Sequence, residues 1–275
     1  YSTTVLDNGI TTPAFYVLPV NRQIGNDAPG QVRLLENNPL TLDGGSIYQW
    51  RSTSSSGNIT DSEQNATRIS DRIAATISGF DLEKTKTFNR KYHHEYWFLW
   101  KETALILNYS NNTWYTYTNM PFVSMLEVDQ RTFGFTQGGK IKEVSRSYRN
   151  DDGEEISAYA ATGAMDFDRD WQLKYSPVIF VAIKPENNAR ITVTAESNRR
   201  SDYPDKVVAA SFASFTNVDF NHWSFLTNRK PQVERLKLKV KKATFYRLIF
   251  KSDSTSATAT VLETDVQLRY AGNVK

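Results

Sequence analysis

Residues Tyr92 to Ser145 read YHHEYWFLWKETALILNYSNNTWYTYTNMPFVSMLEVDQRTFGFTQGGKIKEVS, and this stretch decides the fold class. Short runs of aromatic and β-branched residues alternate in it with short polar or Gly-rich turns, a pattern typical of hairpins. The runs are Tyr96–Trp100, Thr103–Tyr109, Thr113–Thr118, Phe122–Val128, Thr132–Thr136 and Lys140–Ser145. Strands joined by such short turns pair with their neighbours in the chain. The stretch therefore predicts a tightly wound antiparallel meander, the form of a β-propeller blade.

The residues before this stretch continue the same pattern and add one helix. Gln31–Arg51 predicts three strands, with turns at Asn-Asn-Pro and at Gly44-Gly45. Its close, LTLDGGSIYQW, resembles FGFTQGGKIKEV at Phe133–Val144, which either marks a repeated blade or reflects how common Gly-Gly hairpins are. Isoleucines recur at intervals of four over 66–77, which predicts one helix with its isoleucine stripe on a sheet.

A charged passage, SYRNDDGEEIS, separates this region from a second one with longer strands. The later runs alternate more regularly and are joined by polar turns, without helical crossovers, as in a β-sandwich of jelly-roll type. They are Ile156–Phe167, Ser176–Lys184, Arg190–Ser197, Lys206–Ser211, Gln232–Lys241, Thr244–Lys251 and Ala257–Tyr270. We therefore expect an all-β chain, with a propeller-like and incomplete region over 1–150 and a β-sandwich domain over 151–275.

Composition and motifs restrict the chemistry. The chain has 275 residues, a net charge of +3 and no cysteine, which excludes disulfides and thiolate metal sites. No apolar run reaches the roughly 18 residues that a membrane-spanning helix needs. Nucleotide-binding loops, nucleophile elbows and zinc-protease motifs are absent from the sequence. We expect no enzyme activity and no catalytic, cofactor or metal site.

One stripe of charge stands out in ERLKLKVKK. Leu236, Leu238 and Val240 occupy alternate positions, so the residues between them would project from the opposite face of a strand. The cations on that face are Arg235, Lys237, Lys239 and Lys241. Two interpretations remain open. The stripe is a solvated face that protects the sheet from edge pairing, or it contacts an acidic protein surface or passing DNA.

Aromatic residues provide a rival hypothesis from another functional class. A β module with exposed rings can stack sugars, which would make the chain a carbohydrate-binding or receptor-binding module. The candidate platform residues are Trp97, Trp100, Trp114 and Tyr117. The alternative is core packing, because these residues alternate within predicted strands.

Phrases across most of the chain from Gln31 onward resemble known proteins. They include GQVRLLENNPLTLDGGSIYQW, HHEYWFLW, ALILNYSNNTWYTY, GAMDFDRDW, NRRSDYPDKVV and FNHWSFLTNRKPQ. These sequence phrases are similar to the C-terminal portion of bacteriophage tail-associated structural proteins, the hub or nozzle proteins that contain propeller-like blades. No active-site motif is shared, so no functional residue is transferred.

The resemblance implies a non-enzymatic structural protein of the virion tail or neck, assembled in the host cytoplasm. Its partners would be other tail or neck subunits, its assembly a homo-oligomeric ring, and DNA would pass through that ring. The first 150 residues suffice for roughly three blades, whereas a closed propeller has four to eight. The remaining blades would then come from a longer chain or from other copies.

Overall fold

The computed structural model describes residues 2–5, 11–14, 21, 23–28, 31–51, 66–186, 188–210 and 230–273. These residues form several antiparallel sheets and a single short α-helix, which confirms the all-β fold class. A closed propeller is not confirmed. The chain divides into two compact units, Tyr1–Ser145 (unit 1) and Arg146–Lys275 (unit 2).

Unit 1 is built from consecutive strands. They are β1 (Ser2–Val5), β2 (Thr11–Ala14), β3 (Arg33–Leu35), β4 (Asn38–Asp43), β5 (Ser46–Trp50), β6 (Ala66–Arg68), β7 (Lys86–Arg90), β8 (Glu95–Trp100), β9 (Thr103–Asn108), β10 (Thr113–Tyr117), β11 (Phe122–Val128), β12 (Arg131–Thr136) and β13 (Ile141–Val144). The sheets follow chain order: β1-β2, β3-β4-β5-β6, β7-β8-β9-β10 and β11-β12-β13. The last three are up-and-down meanders, and the two four-stranded ones have the strand number and order of a propeller blade.

The predicted meander is confirmed, because the ends of β8 to β13 lie within one residue of the predicted runs. The turns explain this agreement. Each predicted turn contains a residue with positive φ, a conformation that suits two-residue hairpins: Lys101, Asn112, Asn119, Gln130 and Gly139.

Three sheets of unit 1 stack face to face: β3–β6, β7–β10 and β11–β13, with β7–β10 in the middle. Alternate residues of β8 point to opposite faces of this sheet. Tyr96 and Phe98 pack on the side of β3–β6, in a cluster with Leu40, Leu42 and other core residues. Trp97 packs on the other side, in a cluster with Phe122 and Met125 of β11. The middle sheet is therefore buried on both faces.

A buried polar network also joins the middle sheet to β11–β13. Arg90 and Glu95 form an ion pair of 3.2 Å with side chains only 3% and 1% exposed. Arg90 also donates to Thr132 Oγ1 at 2.7 Å and to the Val144 carbonyl at 3.1 Å. Glu95 accepts from the Trp97 indole at 2.9 Å and from the Tyr115 hydroxyl at 2.7 Å. Because both charges have several partners, the network holds the two sheets in one arrangement.

Two predictions for unit 1 need correction. The helix predicted over 66–77 begins late, because 66–68 pair with β5 as strand β6; a 3₁₀ turn (Asp71–Ile73) and α1 (Ala74–Ile77) follow. The isoleucine stripe is nevertheless confirmed, since Ile77 is buried and Ile69 and Ile73 pack on the same core. The turn predicted at Asn-Asn-Pro lies one residue earlier, at 36–37, and Pro39 belongs to β4.

Unit 2 contains the remaining strands. They are β14 (Asn150–Asp151), β15 (Glu154–Ala161), β16 (Gln172–Ser176), β17 (Ile179–Ile183), β18 (Ala189–Ser197), β19 (Lys206–Ala210), β20 (Gln232–Leu236), β21 (Val240–Ala243), β22 (Tyr246–Ser254), β23 (Val261–Val266) and β24 (Arg269–Asn273). They form a five-stranded sheet, β14-β15-β22-β18-β19, and two three-stranded sheets, β21-β16-β24 and β20-β17-β23.

One core joins the three sheets of unit 2. Val193 of β18, Val181 of β17 and Val240 of β21 are fully buried in the same cluster. Lys174 of β16 is also fully buried, and its ammonium group donates to the carbonyls of Arg169, Gln172 and Thr244. Burial lowers the pKa of Lys174, and the nearby carboxylates of Asp166 and Asp170 partly oppose this shift.

Several predicted strands of unit 2 are wrong in extent. The run 244–251 is shifted to β22, and the run 176–184 begins only at Ile179, after the strand β16, which was not predicted. The run 257–270 is interrupted and forms β23 and β24, and the run 156–167 ends at Ala161. The run 232–241 breaks after Leu236 and resumes at Val240 as β21, in a different sheet. This last break lies inside the predicted cationic strand, and it shapes the site described below.

Candidate functional site: a cationic cleft in unit 2

A cleft of about 490 Å³ in unit 2 is lined by six cationic side chains. Two separate segments supply them. The first follows β18 and includes the start of β19, and the second connects β20 to β21 and includes the start of β21. The full lining is Arg199, Arg200, Tyr203, Pro204, Lys206, Lys237, Leu238, Lys239 and Lys241. None of the described residues in this lining is acidic.

The second segment keeps the alternation expected of a strand although it is not one continuous strand. Leu236, Leu238 and Val240 are at most 6% exposed and belong to the core. The lysines between them are exposed. Lys239 has φ of +55°, and its N–H donates to the Pro177 carbonyl at 3.4 Å. The buried leucines and valine therefore anchor this segment and direct its lysines outward.

The first segment is fixed by hydrogen bonds to β18. The Thr194 hydroxyl donates to the Tyr203 carbonyl at 2.8 Å. Ser197 Oγ accepts from the backbone N–H groups of Arg199 at 3.3 Å and Arg200 at 3.1 Å. Tyr203 itself is only 7% exposed. These contacts hold the backbone that carries Arg199 and Arg200 in place.

Two hydrogen bonds join the first segment to the chain directly after β21, the strand in which the second segment ends. Asn198 Oδ1, beside Arg199, accepts from the Thr244 N–H at 3.0 Å, and Thr244 follows the last residue of β21. The Asn198 N–H donates to the Phe245 carbonyl at 3.3 Å. The cations of both segments are thus held around the same cleft by the fold itself.

Arg200 is the one lining cation with an acidic partner among the described residues. Its Nε donates to Asp202 Oδ1 at 2.8 Å, and its guanidinium lies 5.1 Å from the centre of the Tyr203 ring. The hydrogen bond from Arg200 lowers the pKa of Asp202. The other cations form no ion pair with a described residue: Arg199, Lys206, Lys237, Lys239 and Lys241. Solvent ions or a ligand can therefore neutralise the charges of these cations and relieve their mutual repulsion.

The sequence predicted part of this site. Lys237, Lys239 and Lys241 all line the cleft. Arg235 does not: it lies in β20 opposite Phe180, outside the lining. Arg199, Arg200 and Lys206 were missed, since they come from a segment some thirty residues earlier that only the sheet order brings close. The sequence feature that could have identified this segment is the charged cluster Asn-Arg-Arg-Ser-Asp between two predicted strands.

The four candidate aromatic residues do not form one platform. Trp97 is fully buried and donates to Glu95, so it is not available to stack on a ligand. Strand pairing places Trp97 and Tyr117 on one face of the middle sheet and Trp100 and Trp114 on the other. Trp114 packs beside Phe98, and Lys101 lies 4.4 Å over the Trp100 ring. Tyr117 is 37% exposed. This arrangement favours packing over sugar stacking.

Among the described residues, no three metal-ligand side chains lie close enough together to hold a metal ion. No helix in the described ranges has the length and apolar character needed to cross a membrane. His222, in NHWSF, lies outside the described residues.

No protein-family model matches the chain, and no curated protein matches it.

Proposed function

We propose that the chain is a structural subunit that assembles by continuing the stack of sheets in unit 1. The observation that carries this proposal is an exposed apolar face on β11–β13, the last sheet of the stack. Each earlier contact in the stack buries apolar residues between two sheets. The final sheet presents the same kind of face without a described neighbour on it.

Strand pairing defines the residues of this face. Leu126 lies opposite Phe133, and Phe135 lies between Ser124 and Ile141. Partners directly opposite one another in an antiparallel sheet share a face. Leu126 is 50% exposed, Ile141 63% and Val128 46%, whereas Met125 and Thr132 on the other face are buried. We call this set the assembly face: Leu126, Val128, Phe133, Phe135 and Ile141.

The edge of the assembly face is polar. Arg131 forms an ion pair with Glu143 across β12 and β13 at 2.7 Å, and its guanidinium lies 5.1 Å from the Phe133 ring centre. An apolar centre with a polar rim is the usual composition of a protein–protein interface. Contiguous exposed apolar surface of this kind marks interaction sites.

We infer that the occupant of this face is a β-sheet of the same kind, from a second copy or a longer parent chain. Blade-like sheets stacked in this way curve into rings when enough of them join. The resemblance to phage hub and nozzle proteins supports the same role: a non-enzymatic subunit of a tail or neck. Its partners would be other virion subunits, its assembly a homo-oligomeric ring, and its location the virion after assembly in the host cytoplasm.

Sedimentation velocity and negative-stain imaging test this proposal. We expect the protein to form oligomers, with rings among them, in a concentration-dependent way. The double substitution Leu126→Asp with Ile141→Asp should shift the population to smaller species, because it places two charges in the apolar contact. Leu262→Asp is the matched control, since Leu262 is equally exposed but lies in β23 of unit 2. A wild-type protein that stays monomeric at high concentration would contradict the proposal.

The rival hypothesis of a carbohydrate-binding module is less well supported, because the four aromatic residues are divided between two faces and Trp97 is buried. A glycan array distinguishes the two functions. Binding that is abolished by Trp100→Ala alone would favour the carbohydrate module.

A further inference from the structure

We propose that the cationic cleft of unit 2 binds the phosphate backbone of nucleic acid without reading its sequence. This inference goes beyond assembly and does not depend on the assembly face. It begins from charge: six cations line a concave surface, and five of them have no ion pair with a described residue. A concave surface of one charge sign concentrates ligands of the opposite sign.

The cleft is organised before any ligand arrives. Leu236, Leu238 and Val240 are packed in the core on one side. On the other side, the hydrogen bonds of Thr194 and Ser197 fix the segment that carries Arg199 and Arg200. Binding therefore does not require the backbone of the described segments to be ordered first. The main entropic cost of binding is the immobilisation of the lysine side chains.

The lining favours a phosphate backbone over an acidic protein surface. Centres of protein–protein interfaces are enriched in aromatic residues and depleted of lysine. Here lysines dominate; of the apolar lining residues, Tyr203 and Leu238 are only 7% and 2% exposed, and Pro204 is the one that is exposed. Interfaces with nucleic acid are more polar and more positively charged.

The same residues explain why sequence would not be read. Reading bases requires donors aimed at base edges, or rings on which bases stack. The Tyr203 ring is buried beneath Arg200, and the planar fork of Arg200 is occupied by Asp202. The remaining contacts come mainly from lysines, which act as point charges on flexible stems.

Fluorescence anisotropy with a short labelled DNA duplex tests the proposal. We expect weak binding, with Kd of about 10⁻⁴ to 10⁻⁶ M at physiological salt, as for other sequence-independent contacts. Two duplexes of unrelated sequence should bind equally. A plot of log K against log salt should have a slope of about −3 to −5, corresponding to roughly three to five phosphate contacts.

A matched pair of triple variants assigns the site. Lys237→Gln with Lys239→Gln and Lys241→Gln should lower the affinity more than tenfold, and reduce the magnitude of the salt slope by about three. The control is Lys86→Gln with Lys91→Gln and Lys140→Gln, which removes the same charge from exposed positions of unit 1. This control should retain nearly all of the wild-type affinity and slope.

A finer comparison uses two neighbouring lysines of β21. Lys241 lines the cleft, whereas Lys242, which is also exposed, does not. Lys241→Gln should weaken binding more than Lys242→Gln does. Equal losses at both positions would show a diffuse charge effect and would count against a defined site.

Several results would overturn the proposal. They are an absence of duplex binding by the wild-type protein at low salt, equal affinities of the two triple variants, and a strong preference for one DNA sequence. Competition by poly-L-glutamate as effective as that by DNA, at equal charge concentration, would also overturn it and would indicate an acidic protein as the ligand. None of these results bears on oligomer formation, so assembly is tested separately.

Discussion

Arg90 of unit 1 and the cleft lysines of unit 2 use their charges in opposite ways. In unit 1, Arg90 is 3% exposed and contacts Glu95, Thr132 and Val144, so its charged group interacts with groups inside the fold. In unit 2, Lys237, Lys239 and Lys241 are exposed around a cleft and have no acidic partner among the described residues. The difference indicates that Arg90 stabilises the structure, whereas the cleft lysines are exposed where the proposed ligand would contact them.

The largest expected effect tests the structural side of this comparison. Arg90→Met leaves Glu95 buried without its cation, and breaking a buried pair in this way costs about 3–5 kcal/mol. Urea denaturation followed by tryptophan fluorescence measures the loss in unit 1. Arg131→Met is the control, because Arg131 is 62% exposed, and an ion pair with an exposed cation is worth about 0–1 kcal/mol. Equal losses in the two variants would contradict a special role for Arg90.

Lys174 sharpens the comparison within unit 2, because it is a buried lysine in the same unit as the cleft. Lys174→Met leaves the carbonyls of Arg169, Gln172 and Thr244 without this donor, which we expect to cost about 2–3 kcal/mol. The same urea denaturation measures it. A loss no larger than that of a cleft lysine would remove the distinction between the two kinds of lysine.

Lys174 also predicts a pH dependence. Burial lowers its pKa in the folded state below the ordinary lysine value of 10.5, so the unfolded chain binds more protons in the interval between the two values. The contribution of Lys174 to stability therefore rises with pH across that interval. The stability difference between wild type and Lys174→Met should grow accordingly as pH approaches 10.5 from below. A difference that shrinks would contradict this sign.

A packing change of intermediate size tests unit 1 without altering charge. A Cβ at Gly134 would lie 2.4 Å from the Phe122 ring, which is 6% exposed and packed against Trp97. Gly134→Ala should therefore cost about 1–3 kcal/mol, as overpacked cores do. Gly138→Ala is the control, since its nearest neighbouring atom would be 4.0 Å away. Thermal denaturation of both variants measures the two losses of stability, and equal losses would contradict the predicted overpacking at Gly134.

The smallest expected effect concerns the cleft itself. Lys237→Gln and Lys241→Gln should change the free energy of unfolding by no more than about 0.5 kcal/mol, as surface substitutions usually do. Because each substitution relieves repulsion between the lysines, we expect a small increase in the free energy of unfolding. A loss well above about 1 kcal/mol would show that these lysines support the fold rather than a ligand.

The sequence predicted most of unit 1 because its signals are local. Turn residues such as Asn112 and Gly139 and the alternation within β8 to β13 act over only a few positions. The Arg90–Glu95 pair was not predicted, although the two residues lie close in sequence. Its partners Thr132 and Val144 belong to another sheet, and only stacking brings them near.

In unit 2 the pattern of burial was predicted better than the strands. Leu236, Leu238 and Val240 alternate as expected, yet the hydrogen-bonded strand breaks between them, with Lys239 at φ of +55°. Alternation reports which side chains enter the core and does not report where pairing changes sheets. For the same reason half of the cleft was found from ERLKLKVKK, and the other half required the loop after β18.

The most direct test of the central claim is urea denaturation with and without a DNA duplex. A ligand that binds only the folded state raises the free energy of unfolding as its concentration exceeds Kd. The account predicts that the duplex stabilises the wild-type protein and Arg131→Met, but not the triple variant of Lys237, Lys239 and Lys241. Equal stabilisation of the triple variant, or none of the wild type, would contradict the assignment of these lysines to a ligand.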